Sequence, residues 1–389
     1  SDNGTHITIR LKMELGWKRD YDDSSFRTVG KVSAFNINVN WGDGSSAETF
    51  KIKVLSSDSG SNSAIVEMGT GTIGTSSTDW TAGATHSYPD NGTSYVITWT
   101  GGERIDDIEN MANESDWRLA TKVNTGGDNN TSPVSSVPPV VQVQDNTTFS
   151  YQLSATDAEG DSLGYRWGTY NEFVGSGGTY SKPDNMTLSS SGLIEWDVRD
   201  SVLDSGTKFD ENAMWLAFIM VEDVDSSSGD NKSYIPIDFF FKIASASNNP
   251  PSFTDFPTGT QTVSVGSTKT FTIKSTDDSG VAPTVTVLNP PSDNSSIWDN
   301  TTSNAMVNGD NVTTFTITFA PDSSMGDTSK VVNIRSTDAA GMTKDQSLSI
   351  YISTVSNADP TAPILQYPAN GDNVTSPVTF RFAGSTDSD

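Results

Sequence analysis

The sequence predicts an all-β protein made of tandem antiparallel β-sandwiches arranged as a rod. Three observations indicate this fold. Apolar and polar residues alternate in many short segments, similar segments recur at long regular intervals, and proline-rich segments separate the repeats. The chain has 389 residues, which is too long for one ordinary domain and suggests two to four.

The strand pattern is strongest where alternation is strict. Residues 35–41 read FNINVNW, residues 94–100 read SYVITWT and residues 315–319 read FTITF. Such short alternating segments, bounded by Gly, Asn, Asp and Ser, indicate half-buried strands. One segment, residues 105–119, has a weak helical pattern instead.

An internal repeat predicts the domains. A strand runs into an acidic turn three times, ending at Asp157, Asp277 and Asp387. The intervals of 120 and 110 residues each match one immunoglobulin-like sandwich. The repeat and its linkers predict sandwiches at the ranges 1–125 (with an irregular insert), 133–246 and 249–355, and the start of a fourth, fibronectin-III-like or immunoglobulin-like, at 360–389.

The fourth unit has sequence for its opening strands alone. A segment of that length cannot close a sandwich, so we expect the protein to continue beyond it. An uncovered strand edge favours pairing with another strand. We therefore expect the partners to be further repeats of the same chain or other copies of it.

Charge and composition exclude several functions. The net charge is −26, and the 23 basic residues form no cluster, so nucleic acid and anionic membrane surfaces are disfavoured partners. The chain has no Cys, which excludes disulfides and thiolate chemistry, and only two His, which leaves little for a catalytic base. No run of apolar residues is long enough to span a membrane. We expect no enzymatic activity.

Three motifs in the first unit resemble a polycystic-kidney-disease-type (PKD) sandwich. They are NWGDGS at residues 40–45, HSYP at 86–89 and GTSYVITW at 92–99. The resemblance implies that His86 packs within the fold rather than acting in catalysis.

The second and third units resemble cadherin-like and bacterial immunoglobulin-like repeats. The matching segments are TDAEGD at residues 156–161, GLIEW at 192–196 and NPPSF at 249–253. Residues 1–245 also resemble the N-terminal module of large secreted surface proteins of bacteria and stramenopile algae, including flagellar-hair proteins. These resemblances imply an extracellular structural or adhesive role.

The acidic turns are candidate calcium sites. Asp157, Glu159 and Asp161 occupy alternate positions, and Asp223 and Asp338 lie at comparable strand ends. Calcium takes six to eight oxygen ligands, which such carboxylates and backbone carbonyls supply. The alternative interpretation is that these residues form solvated turns.

The sequence contains twelve Asn-x-Ser/Thr sequons. They carry glycans only if the host glycosylates secreted proteins. The best candidates lie in expected loops: Asn91, Asn130, Asn300 and Asn373.

The sequence therefore predicts a secreted, cell-surface structural or adhesive protein, part of a surface structure or filament, with calcium as its one candidate cofactor. Two alternatives stay open. The chain could be the accessory region of a secreted enzyme such as a glycosidase, or a carbohydrate-binding module that presents tryptophans to cell-surface glycans.

Overall fold

A computed structural model gives the three-dimensional structure of the chain. It describes residues 6–21, 24–59, 62–74, 79–102, 104–105, 107–111, 116–126, 130–174, 180–199, 209–225, 231–245, 247–292, 294–354, 365–367 and 381–382. The described residues are almost entirely β, as predicted. None of their helices is long and apolar enough to cross a membrane.

In its described ranges, the first unit contains nine strands and a 3₁₀ turn at Ser24–Arg27. The strands are β1 (His6–Leu11), β2 (Glu14–Lys18), β3 (Val32–Asn40), β4 (Glu48–Asp58), β5 (Ser63–Thr70), β6 (Thr81–Ala82), β7 (Ala84–Pro89), β8 (Ser94–Gly101) and β9 (Trp117–Asn124). Strands β1 and β7 pair antiparallel opposite the large sheet that contains most of the others.

The described part of the second unit contains one short α-helix, α1 (Tyr170–Phe173), and nine strands. The strands are β10 (Val134–Ser135), β11 (Val140–Gln144), β12 (Thr148–Gln152), β13 (Ala155–Thr156), β14 (Ser162–Trp167), β15 (Met186–Leu188), β16 (Leu193–Asp197), β17 (Met214–Val224) and β18 (Asn231–Ala244). Strands β12, β16 and β15 form a separate three-stranded sheet.

The third unit is a sandwich of two four-stranded sheets, ordered β19-β21-β24-β23 and β20-β26-β25-β22. Its strands are β19 (Ser252–Asp255), β20 (Gln261–Ser264), β21 (Lys269–Thr276), β22 (Thr284–Val287), β23 (Trp298–Val307), β24 (Asp310–Phe319), β25 (Thr328–Thr337) and β26 (Thr343–Ser353), with a 3₁₀ turn at Ser323–Met325. Beyond it, β27 (Leu365–Tyr367) pairs with β28 (Arg381–Phe382), and the rest of the predicted fourth unit lies outside the described residues.

Alternation explains why these segments are strands. In β3, Ile37 and Val39 are buried, whereas Asn36, Asn38 and Asn40 on the opposite face are exposed. Because side chains alternate along a strand, one face enters the core and the other meets water. Three hydrophobic cores form in this way, and each draws its buried residues from within one predicted sandwich range.

The first two units share one sheet. Strand β9 of the first pairs with β18 of the second at Lys122 and Tyr234. The Thr121 hydroxyl also donates to the Tyr234 carbonyl at 2.6 Å. The resulting eleven-stranded sheet runs through both units. The two units are therefore joined along their sides. The sequence had predicted sandwiches arranged as a rod, without this lateral contact.

A fourth hydrophobic cluster seals this junction. Ile108 and Met111, from the insert of the first unit, pack with Leu216, Phe218 and other residues of the second. The Asn110 side chain adds two hydrogen bonds to the Leu216 backbone, at 2.8 and 2.9 Å.

The weak helical pattern at residues 105–119 was misleading. Its last residues belong to β9, and its apolar residues are used to pack against the second unit. Tertiary packing overrides so weak a local preference.

Arg335 connects the third unit to the other two. Its guanidinium forms two hydrogen bonds with Asp345, at 2.7 and 2.9 Å. It also donates to the Val140 carbonyl at 2.9 Å and to Asp58 at 3.2 Å. A buried arginine needs several acceptors because an uncompensated buried charge is strongly destabilising. The Arg335 side chain thus depends on all three units.

The fourth cluster predicts coupled unfolding of the first two units. Leu216→Ala removes a fully buried side chain from this cluster and should cost about 2–5 kcal/mol, because a cavity remains. Hydrogen exchange should then accelerate both in the second unit and in residues 107–124.

Leu348→Ala is the matched control, because Leu348 is equally buried but lies in the core of the third unit. Unchanged exchange of residues 107–124 in Leu216→Ala would show that the first unit folds independently of the cluster.

Candidate functional site at the acidic strand ends

The first predicted acidic turn is tightly organised around Asp157, which directly follows β13. Its Oδ1 accepts hydrogen bonds from the backbone N–H groups of Glu159 and Asp161, both at 3.0 Å. Gly160 has a φ of +79°, which permits the chain to wrap around the carboxylate. The local sequence therefore fixes the Asp157 side chain, which is 9% exposed.

Asp223 lies at the neighbouring strand end, where the pairing of β17 and β18 has a bulge between Asp223 and Val224. The side chain is fully buried. Its Oδ2 accepts from the Asn130 amide at 2.6 Å and from the Ser233 hydroxyl at 3.2 Å. A residue of the linker between the first and second units thus reaches this carboxylate.

Within the described part of the chain, several buried oxygens at this junction have no hydrogen-bond partner. They are Oδ2 of Asp157 and Oδ1 of Asp223, Asn130 and Asn231. Leaving a buried polar atom unpaired costs about 1–3 kcal/mol, and more for a charged group. All four atoms are oxygens, so a bound cation would satisfy them.

Electrostatics indicate that the carboxylates lie close together. Burial, together with the negative charges of Glu159, Asp223 and Asp161, raises the pKa of Asp157 to about 6, although the hydrogen bond from the Asp161 backbone acts in the opposite direction. Burial also raises the pKa of Asp223. Both shifts reflect a site that disfavours its own negative charge.

Glu159 and Asp161 already have partners within the protein. Glu159 accepts from the backbone N–H and the hydroxyl of Thr131, at 3.1 and 2.8 Å. Asp161 pairs with the Lys232 ammonium at 2.9 Å. Among the described residues, no three His, Cys, Asp or Glu side chains converge closely enough to hold a metal ion. A calcium site here would need the asparagine oxygens as well as the carboxylates.

The second junction repeats this design around Asp338, just after β25. Its Oδ1 accepts from the backbone N–H groups of Ala340 and Met342, at 2.8 and 2.9 Å. Its Oδ2 accepts from the linker residue Asn248 at 2.5 Å. Both carboxylate oxygens of Asp338 are therefore hydrogen-bonded.

Asp277 occupies the position in the third unit that Asp157 has in the second. The hydroxyls of Ser275 and Ser336 lie 2.7 Å apart, which places the ends of β21 and β25 side by side. The Oδ2 of Asp277 is buried and has no hydrogen-bond partner among the residues that the structure describes. The sequence repeat already pointed to this residue, because Asp277 follows a Ser-Thr pair just as Asp157 follows an Ala-Thr pair.

The sequence analysis did not identify the linker asparagines as partners of the acidic residues. Nothing in the local sequence shows which carboxylate each asparagine reaches.

The predicted glycosylation residues differ in their surroundings. Asn91 and Asn300 are exposed. Asn130 uses its side-chain amide nitrogen, the atom that would carry a glycan, to bond Asp223. Asn373 lies outside the described residues.

The Gly-Asp-Gly and His-Ser-Tyr motifs of the first unit meet in space. The His86 ring stacks on Trp41 at 4.6 Å, and its Nε2 lies 2.8 Å from Asp43 Oδ2. The Tyr88 hydroxyl donates to the Trp41 carbonyl at 2.7 Å. Hydrogen bonds from Ser45 and then His86 hold the pKa of Asp43 well below its usual range. His86 thus packs in the fold.

The tryptophans considered for glycan binding are mostly in the cores. Trp41, Trp99, Trp196 and Trp215 are all buried, and Trp167 packs against a core. These five tryptophans therefore do not form an exposed row of aromatic side chains.

Residues 2–126 match the family model described as integrin beta-like protein A-E, N-terminal. The match coincides with the first unit. No curated protein is similar enough to the chain to match it.

Solved structures share low similarity with the chain. A GspB Siglec domain is 17% identical, with 30% of this chain and 63% of that chain covered and a TM-score of 0.24. The sialic acid binding region of a Streptococcus sanguinis SK1 adhesin is 15% identical (60% and 82% covered, TM-score 0.23). The N-terminal Ig1-2 module of the Drosophila receptor protein tyrosine phosphatase DLAR is 13% identical (58% and 100% covered, TM-score 0.20). This chain spans less than two thirds of the Siglec domain chain, and at these TM-scores the chains as wholes do not superpose.

The raised pKa of Asp157 predicts an unusual pH dependence in calcium-free buffer. With a pKa of about 6 in the folded chain and about 4 in the unfolded chain, the folded state binds the proton more tightly. Stability should therefore increase as the pH falls from 7.5 to 5.5, by about 1 kcal/mol from this group.

Urea unfolding with chelator at the two pH values measures this change. Asp157→Asn should abolish it, and Asp255→Asn, which alters an exposed carboxylate elsewhere, should preserve it. A loss of stability on acidification that is the same in all three proteins would contradict the assignment.

Proposed function

We propose that this chain belongs to an extracellular structural or adhesive protein exposed at a cell surface. The match of residues 2–126 to the N-terminal family model of integrin beta-like proteins carries the proposal. The tandem β-sandwiches support it, because such units present large surfaces and need no catalytic centre. The net charge of −26 is compatible with a soluble surface domain in a salty medium.

The role we propose is binding and structural, not enzymatic. The His86 ring, a candidate for base catalysis on composition alone, is occupied by stacking on Trp41 and by its contact with Asp43. Further repeats or other copies of the chain are the partners that this role implies, and cell-surface glycans are a further candidate.

We further propose that calcium stabilises the junctions between units. At the first junction the unpartnered oxygens of Asp157, Asp223, Asn130 and Asn231 would provide ligands, since calcium prefers carboxylate and amide oxygens. Glu159 and Asp161 would also bind the calcium ion if they gave up their contacts with Thr131 and Lys232. Asp338, whose oxygens are hydrogen-bonded, would contribute at the second junction only after exchanging the Asn248 amide nitrogen for the amide oxygen.

Calcium should therefore stabilise the protein at pH 7.5. Binding to the folded state alone adds about 2–3 kcal/mol when free calcium is about 100-fold above its dissociation constant. Thermal unfolding should shift upward with calcium and return with chelator, and hydrogen exchange at residues 155–163 should slow. The effect should weaken near pH 5, where protons compete for Asp157.

Asp223→Asn tests the site, because it keeps the side-chain shape and removes one charge. It should lose protection at residues 155–163, whereas Asp255→Asn should respond like the parent chain. If hydrogen exchange at this turn were identical with calcium and with chelator, the calcium site would be contradicted and the residues would form a solvated turn.

The location can be tested directly. Antibodies raised against residues 1–389 should label intact, non-permeabilised cells of the source organism, and protease added to those cells should remove the label. Labelling that appears only after permeabilisation would contradict an extracellular role.

A further inference from the structure

A groove of about 340 Å³ opens between β22 and β23, the edge strands of the two facing sheets of the third unit. Val287, Pro290 and Trp298 provide apolar surface within it. Asn300 and Thr302, which follow Trp298 at alternate positions along β23, line the same groove. Because side chains two apart share a face of a strand, both point toward the groove.

Strand β23 is an unprotected edge. It pairs with β24 over ten residues without a register shift, and β24 is its one partner among the described strands. Every residue after Trp298 is exposed, and Met306 is 66% exposed. Edge strands usually carry lysine, proline or a bulge to prevent pairing with other chains. This strand has none of these, and Asp299 is its single charge.

Asn300 begins the sequon Asn300-Thr301-Thr302 on this edge. Two other sequon asparagines use their side-chain amides in hydrogen bonds: Asn130 donates to Asp223, and Asn311 donates to the Gly280 carbonyl at 2.6 Å. The sequon threonine Thr313 is also fully buried. Asn300 is exposed, and its backbone N–H donates to the Asp299 carboxylate at 2.9 Å.

We propose that Asn300 carries an N-linked saccharide whose first sugars occupy this groove and cover the β23 edge. The apolar face of a pyranose would pack on Pro290 and Trp298, while its hydroxyl groups bond polar side chains such as Thr302. The sugar thereby takes the place of the charged or proline residues that protect other edges. The inference rests on the proposed extracellular location, because N-glycans are added on the secretory route.

The modification requires an oligosaccharide carried on a lipid pyrophosphate. The Asn300 amide nitrogen forms a bond to C1 of the first sugar, and the bond from C1 to the phosphate oxygen breaks. The amide loses one proton, and the lipid pyrophosphate leaves with the bonding electrons. No oxidant or reductant is involved.

The full chain, secreted from eukaryotic cells, tests the proposal. Peptide mass spectrometry should find a glycan on Asn300, and hydrogen exchange along 298–307 should be slower than in Asn300→Gln. The unglycosylated Asn300→Gln protein should self-associate at a protein concentration at least about tenfold lower in sedimentation experiments. Substitution is preferable to enzymatic release, which would leave a charged aspartate on the edge.

Thr302→Ser and Thr302→Val are matched controls, because both change the same groove residue and only serine preserves the sequon. Thr302→Ser should behave like the parent, and Thr302→Val like Asn300→Gln. An unmodified Asn300 in a protein glycosylated at Asn91 would overturn this inference and leave the location intact. Failure of surface labelling in the source organism would overturn the location. Equal self-association of glycosylated and unglycosylated proteins would overturn the edge-covering role.

Discussion

The hydrogen bond between a linker asparagine and a buried aspartate at a strand end determines how each junction is held. Asn130 reaches Asp223 at 2.6 Å at the first junction, and Asn248 reaches Asp338 at 2.5 Å at the second. Each aspartate is less than a tenth exposed, so loss of its partner would leave a buried charge under-satisfied. Movement of the linker away from the aspartate would therefore destabilise the junction. The linker contact therefore helps to fix the placement of each unit.

Side-by-side contacts add to these junctions. The β9–β18 pairing and the fourth hydrophobic cluster join the first unit to the second, and Arg335 bonds atoms of all three units. The two kinds of contact differ in their response to solution conditions. Apolar burial is insensitive to pH, whereas the buried carboxylates of the first junction have raised pKa values and should respond to it. A change of pH should thus act on the linker contacts more than on the shared sheet.

Local patterns predicted the strands and the first acidic turn. The alternation at residues 35–41 falls on β3, and that at 315–319 falls on β24, because period-two patterning reports directly which face is buried. The same patterning says nothing about partners. Two contacts join residues about 90 to 110 positions apart in the sequence: the pairing of β9 with β18 and the hydrogen bond from Asn130 to Asp223. Both depend on how whole units pack. The PKD-type resemblance stays a prediction, as do the domain boundaries and the calcium ligands.

The two junctions differ in how their negative charge is balanced. At the first, the Lys232 ammonium lies 2.9 Å from Asp161 and offsets part of the charge around Asp157 and Asp223. At the second, Asp277, Asp278 and Asp338 accept hydrogen bonds from backbone and side-chain amide groups. Amides donate hydrogen bonds but bring no net positive charge, so they stabilise these carboxylates without neutralising them. The two junctions therefore balance their carboxylates by different means, with an ammonium at the first and amide donors at the second.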